Sequence, residues 1–165
     1  MLGEQQIGEK LADLQDLAPA GFAIALHIQF TTPTYLFQTY PKAWIEVYSS
    51  RGLVLRDPTV IWGFDNLGVI DWRELAKDDS EGIMALAREH GLVEGFTCAI
   101  EDGESRSIAS FSRTDQSFSD EEKSAICDIV NEMHVSTTGL SPLSAETRNR
   151  LRRMSIQYSH PGPAN

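Results

Sequence analysis

Ile7, Leu11, Leu14 and Leu17 recur at steps of three and four, which predicts an amphipathic helix over residues 3–17. Pro19-Ala20-Gly21 ends it. From Phe22 to Phe30 the step changes to two. Ile24, Leu26, Ile28 and Phe30 then share one face of a strand, and Ala23, Ala25, His27 and Gln29 the other. Both faces are largely apolar, so this strand is expected to be covered on both sides. Thr31-Thr32-Pro33-Thr34 reads as a turn and residues 35–39 as the hairpin partner. Helices are predicted over 41–51 and 58–65, the second with Asp57 as N-cap and Pro58 preset for the first turn. Residues 68–72 read as extended or irregular. Ser80 is placed to cap a helix with Ile83, Leu86, Ala87 and His90 on one side, closed by Gly91. Strands over 95–101 and 107–113 flank a turn at Glu101-Asp102-Gly103-Glu104, with Ile108, Ser110 and Ser112 on one face of the second. Ser119 and Glu122 form a capping box for a last helix that carries Ile126, Ile129, Val130 and Met133.

The order is thus α, β-β, α-α, α, β-β, α, with helices between two pairs of antiparallel strands. This predicts an α/β (α+β) fold: an α/β/α sandwich, an antiparallel sheet with helices on both faces. At 165 residues and 41% hydrophobic content the chain is long enough for one domain with a core of its own. Its net charge of −10 changes the picture more. An acidic chain is repelled by DNA phosphates and by anionic membranes, so no direct DNA binding and no membrane association are expected. There is no long apolar run and no signal-peptide pattern at Met1-Leu2-Gly3-Glu4, which points to a cytoplasmic protein. Cys98 and Cys127 read as free core thiols, and no spacing suggests a metal site or a cofactor. His27 has no acid or nucleophile beside it and reads as structural. With no nucleophile–base–acid set, the chain is not expected to be an enzyme.

Candidate chemistry concentrates between Tyr40 and Trp72, a stretch that holds all three tryptophans. Trp44 and Tyr48 are four apart and would stack on one helix face. Aromatic walls with a few placed polar groups suit a small-molecule pocket. Read alone, Trp44 and Tyr48 fit a plain core role better than a pocket, and Asp57 that of a helix cap. The spacing Y-x3-W-x3-Y-x8-DP-x13-W, at Tyr40, Trp44, Tyr48, Asp57, Pro58 and Trp72, resembles the autoinducer-binding domain of LuxR-type quorum-sensing regulators. Leu26-His27-Ile28-Gln29 and His90-Gly91-Leu92-x2-Gly95 are similar to two further blocks of that family, and the likeness runs from about Leu11 to His134. Ala99 departs from it, standing where many members carry proline.

The resemblance implies the same sandwich, with a ligand cavity between the sheet and one helical layer and an N-acyl-homoserine lactone as ligand. It assigns the indole N–H of Trp44 to the lactone carbonyl and the Asp57 carboxylate to the amide N–H. Tyr40 and Tyr48 bring one hydroxyl, for the amide carbonyl, and one aromatic wall. Trp72 packs on the lactone ring, and Ser112 falls where the family often places a hydroxyl. Ile24, Leu26, Leu36 and Val60 are candidates to line the acyl tail. Residues 1–135 are then the autoinducer-binding domain and 136–165 a linker with the remnant or start of a DNA-binding helix, without a complete helix-turn-helix. Leu143 to Met154 resembles that opening helix, and the sequence stops soon after it, so either the product is truncated or only a piece is present. Two roles follow: sensor domain of a LuxR-type transcriptional regulator, or a truncated interaction protein that blocks a full-length regulator by heterodimerising with it. A homodimer is the other expected assembly.

Overall fold

The computed structural model describes residues 2–30 and 32–138. The helix expected near residues 143–154, with most of the expected linker, lies outside the described residues. Helix α1 (Glu4–Leu17) leads into a hairpin of β1 (Gly21–Gln29) and β2 (Thr32–Gln38). Four helices follow: α2 (Lys42–Ser50), α3 (Pro58–Asp65), α4 (Trp72–Leu75) and α5 (Ile83–Glu89), with β3 (Gly68–Asp71) between α3 and α4. Strands β4 (Glu94–Asp102) and β5 (Ser105–Arg113) and helix α6 (Asp120–Ser136) complete the domain. The five strands form one antiparallel sheet in the order β2-β1-β5-β4-β3. The stretch at 68–72 is therefore an edge strand followed directly by a short helix, where the sequence left its form open.

Helices α1 and α6 cover one face. Ile7, Leu11 and Leu14 of α1 and Ile126, Val130 and Met133 of α6 are fully buried there, against Phe22, Phe37, Phe96 and Phe111 of the sheet. These are the positions the three-and-four periodicity selects. The predicted capping box of α6 forms: Glu122 N donates to Ser119 Oγ at 3.1 Å, and Ser119 N donates to Glu122 Oε1 at 2.9 Å. Arg113 joins the layers by donating to Leu17 O and to Glu122, with its guanidinium 4.1 Å above the Phe118 ring.

Two expectations are corrected. Ser80 does not cap α5. Gly82, in left-handed conformation (φ +70°), precedes Ile83, and the Asp79 carboxylate accepts from Met84 N and Ala85 N instead. The alternation of β1 also fails after Leu26. His27 has φ +54°, and the register against β5 slips by one residue between Ala25 and Ile28. An extra residue in one strand turns every later side chain to the opposite face. Ile24 and Leu26 point to the α1/α6 core, whereas Ile28 joins Ala23 and Ala25 on the other face. Phe30 leaves both faces and is 96% exposed at the hairpin turn.

The bulge is held by a histidine cluster. His27 N donates to Ser107 Oγ at 3.0 Å, and the His27 ring pairs with Ser105 Oγ, with Thr137 Oγ1 and with the carbonyl of His134. The ring of His134 lies 4.4 Å from that of His27 and bonds Ser107 Oγ through Nδ1 at 2.6 Å. The structural reading of His27 thus gains a specific job: it fixes the bulge against the C-terminal turn of α6.

Candidate functional site

On the other face of the sheet, helices α2 to α5 do not close down. They leave a partly open cavity of about 660 Å³ between themselves and strands β1, β2 and β5. Its floor is β1 and β5, through Ala23, Ala25, Ile108 and Ser110. Leu36 comes from β2, and Val60 and Phe64 from α3. The end nearest β4 is aromatic, with Trp44 of α2, Tyr40 just before it, Tyr48 one turn on and Trp72 of α4. The rings of Trp44 and Tyr48 are 5.7 Å apart, as their i, i+4 spacing requires, and Trp44 packs on His90 at 5.4 Å.

Glycines let these walls approach. A Cβ on Gly95 of β4 would lie 2.5 Å from the Trp72 ring, so the indole rests flat on bare backbone. A Cβ on Gly21, where φ is +122°, would meet Tyr40 at 2.7 Å. The Trp72 indole N–H donates to Thr97 Oγ1 at 3.0 Å, and Thr97 in turn shares a 2.7 Å hydrogen bond with Ser110 Oγ. Trp72 therefore presents its ring, not its N–H, to the cavity.

Asp57 is the polar centre. Its Oδ1 accepts from the backbone N of Thr59 and from Thr59 Oγ1, each at 2.8 Å, and its Oδ2 accepts from the Tyr48 hydroxyl at 2.7 Å. The predicted cap of α3 is thus present, with Pro58 in the first turn. A carboxylate has about four acceptor positions. Three are filled by protein, which leaves one on Oδ2. Burial pushes the Asp57 carboxyl above the usual range, and the Tyr48 and Thr59 hydrogen bonds pull against that. Among the described residues no cation pairs with it. Burial, then the Asp57 charge, raises both Tyr40 and Tyr48 well above the ordinary phenol range, so both hydroxyls remain donors. The Tyr48 hydroxyl is committed to Asp57. Among the described residues, that of Tyr40 makes only a 3.5 Å contact to Ser110 O. The Trp44 indole N–H makes no hydrogen bond among the described residues.

Of the residues singled out from the sequence, Tyr40, Trp44, Tyr48, Asp57, Trp72, Leu36 and Val60 line this one cavity. Ile24 and Leu26 do not; they belong to the opposite core, because the parity that selects Ala23 and Ala25 for the cavity sends their neighbours away from it. Ser112 does not reach it either. It shares the face of Ser110 but pairs in register with Gly95 and Gly21, at the end where Trp72 and Tyr40 lie on the sheet, and it donates to Glu94 O at 2.8 Å. Ser110, two residues earlier, is the hydroxyl that faces the cavity. Sequence alternation groups these two serines and cannot choose between them. Thr59 and Thr97 were also missed; the Asp-Pro-Thr order of an N-cap turn is the signal that could have found the first.

The family model for the autoinducer binding domain matches residues 21–135. The chain belongs to this family. The domain is the autoinducer-binding type found in LuxR-type regulators. The chain is 33% identical over 101 residues to the HTH-type quorum-sensing regulator RhlR of Pseudomonas aeruginosa, a match covering 60% of this chain and 42% of that protein. It is 35% identical over 57 residues to the transcriptional activator SolR of Ralstonia solanacearum, covering 34% of this chain and 24% of that one. The chain thus spans less than half the length of these relatives. Among solved structures, a crystal structure of Escherichia coli SdiA superposes with a TM-score of 0.61 at 20% identity, covering 88% of this chain and 69% of that chain. The solution structure of SdiA residues 1–171 gives 0.63 at 21%, covering 83% and 86%. At that identity the likeness shows the fold, and it agrees with the sandwich expected from the strand and helix order.

Proposed function

We propose that the domain binds an N-acyl-homoserine lactone and serves as the sensor of a LuxR-type transcriptional regulator. The observation that carries this reading is the Asp57 carboxylate: buried, without a cation among the described residues, with one acceptor position left and a largely apolar cavity before it. That position suits one neutral N–H donor, such as the amide of the ligand. The free Trp44 indole N–H suits a carbonyl, here that of the lactone. The Tyr40 and Ser110 hydroxyls are the donors available to the amide carbonyl. Tyr48 then acts as a wall and as the group that orients Asp57. The Trp72 ring face stacks on the lactone, and Ala23, Ala25, Leu36 and Val60 take the acyl tail. Each buried polar atom of the ligand left without a partner would cost about 1–3 kcal/mol, and this set offers a partner to the lactone carbonyl, to the amide N–H and to the amide carbonyl.

SdiA has been solved with octanoyl-rac-glycerol, whose hydroxyls offer donors of another kind, so an acylglycerol is the natural competitor in any assay. Titration calorimetry against acyl-homoserine lactones of graded chain length, with octanoyl glycerol beside them, tests the proposal. Binding of the lactones with the stronger affinity is expected. No heat and no thermal shift with any lactone would overturn it. For assembly we keep both pairings, a homodimer and a heterodimer with a full-length regulator. A gel-shift titration in which this chain lowers the DNA occupancy of such a regulator supports the second.

A further inference from the structure

Gln38, the last residue of β2, lines the cavity and is half-buried. Among the described residues its side-chain amide has no hydrogen-bond partner. A plain hydrocarbon tail would give it none either. An amide left unpaired weakens any complex that covers it.

The register of the sheet shows where a partner would lie. Gln38 pairs with Ala23 of β1, and Ala23 pairs with Ser110 of β5. The three line the cavity from one row of the sheet, on neighbouring strands about 4.8 Å apart. The row offers a hydroxyl, a methyl and an amide, in that order. Thr97 Oγ1 accepts from the Trp72 indole and lies 2.7 Å from Ser110 Oγ, so the Thr97 proton can go to Ser110 and the Ser110 proton to the cavity. The next row along these strands is Ile108, Ala25 and Leu36, apolar throughout. Polar recognition on this part of the floor therefore ends one row from the head group.

We propose that Gln38 is a specificity residue that binds an oxygen on the third carbon of the acyl chain, so that the ligand is a 3-oxo- or 3-hydroxyacyl-homoserine lactone and not a plain acyl one. This rests on the lactone reading above. With the amide carbonyl at the Ser110 and Tyr40 hydroxyls, the first tail carbons cross the small Ala23 side chain towards Gln38. The third carbon lies two bonds beyond the carbonyl carbon, far enough for its oxygen to diverge from the carbonyl oxygen and meet the glutamine. It is also the carbon at which acyl chains assembled from two-carbon units carry oxygen. A glutamine amide has two N–H donors and an acceptor oxygen. It can donate to an oxo group, and it can donate to a hydroxyl or accept from one.

The test is calorimetry of the whole chain with three lactones of one chain length: unsubstituted, 3-oxo and 3-hydroxy. One neutral hydrogen bond corresponds to about 3- to 10-fold in affinity, and both oxygenated ligands are expected to bind tighter than the unsubstituted one by that factor. In Gln38→Leu the unsubstituted lactone should bind at least as tightly as it does to the parent, and the oxygenated ligands should lose their advantage. In Gln38→Glu, whose carboxylate only accepts, the 3-hydroxy ligand should keep its advantage and the 3-oxo ligand lose it. Equal affinity of the unmutated chain for all three, or an advantage that survives in Gln38→Leu, would overturn the inference and leave the lactone reading standing. Failure of every lactone to bind would overturn both. The quantity read is the ratio between ligands on one protein, so a general loss of stability in a variant does not imitate the effect.

Discussion

Replacing Asp57 with asparagine separates a binding residue from a structural one by the sign of two effects. In the fold, Asp57 accepts from Thr59 N, Thr59 Oγ1 and the Tyr48 hydroxyl, and burial raises its pKa. An acid whose pKa is higher folded than unfolded weakens the fold once pH exceeds the unfolded value, because the unfolded chain ionises more readily. Asparagine is as good an N-cap as aspartate and carries no charge to bury. The ligand-free variant should therefore melt at the same temperature as the parent or higher. Binding should move the other way. The amide oxygen of asparagine keeps the contacts to Thr59, which turns its NH2 towards Tyr48 and the cavity, a donor where the ligand N–H needs an acceptor. A hydrogen bond to a charged group contributes about 1.5–3 kcal/mol, which corresponds to roughly 10- to 150-fold in affinity. Calorimetry for affinity and thermal denaturation for the ligand-free protein measure the two numbers. A variant that binds within about twofold of the parent, or that loses stability while keeping affinity, would return Asp57 to the role of helix cap and refute the head-group assignment.

Gly95→Ala should cost about 1–3 kcal/mol of stability and most of the ligand affinity, because its Cβ would sit 2.5 Å from the Trp72 ring; chemical denaturation and a binding isotherm measure both. Thr97→Val leaves the buried Trp72 N–H without its acceptor and should lower stability by about 1–3 kcal/mol, which the same denaturation curves would read. Trp44→Phe should fold normally and bind more weakly by about tenfold, since it keeps the ring and loses an indole N–H that has no partner among the described residues. Burial lowers the pKa of both His27 and His134 below the ordinary 6.5, the proximity of His27 lowers His134 further, and Asp102 opposes this at His134. Their contribution is complete above about pH 6.5 and is lost as pH falls through that value towards the folded pKa values, where the unfolded chain takes up protons that the fold refuses. Melting temperatures measured from pH 8 down to about pH 5 should fall. Asp57 acts in the opposite direction over part of that range, so the clean comparison is in the Asp57→Asn background, with His134→Gln expected to flatten the decline.

What could be read from the sequence follows from how local each cause is. Trp44 and Tyr48 meet because a helix puts i and i+4 on one face, and Asp57 caps α3 because Asp-Pro starts helices wherever it stands. The order of strands and helices likewise carried the sandwich. The failures share another cause: a face or a partner decided by something distant in sequence. His27 adopts φ +54° because Ser105, Ser107 and the end of α6 hold it there, residues 78 to 110 positions away. That one residue moved Ile28 to the cavity and stranded Phe30 in solvent. Asp79 rather than Ser80 serves α5 because Gly82 takes a left-handed turn that brings the acid back over the helix start. Ser110 outranks Ser112 only because Trp72 and Tyr40 occupy the sheet beyond it, over glycines whose role is invisible until the rings are placed.

The two faces of the sheet differ in how complete they are. On the α1/α6 side, Phe22, Phe37, Phe96 and Phe111 are fully buried and fill the space between the layers. On the other side about 660 Å³ stays unfilled under α2 to α5, with a buried carboxylate at one end that no cation pairs with among the described residues, and apolar walls at the other. Apolar walls without partner atoms forgo the dispersion contacts that a packed interior gains. A ligand with an acyl tail and one N–H would supply both the missing contacts and the missing hydrogen bond, and it can do so only in the folded state. Binding and folding are then linked: at 100 times its dissociation constant such a ligand adds about 2.7 kcal/mol, roughly 5–10 °C in melting temperature for a domain of this size. The stabilisation should appear as protection of amides in α2 to α5 far more than in α1 and α6, because only the first group of helices borders the cavity, which their own buried cluster around Trp44, Leu53, Trp72 and Ile83 leaves unfilled. Hydrogen exchange with and without the lactone measures this directly. Uniform protection across both layers would mean that the α2–α5 layer is already as well packed as the opposite one, and that the cavity is not the incomplete half of the fold.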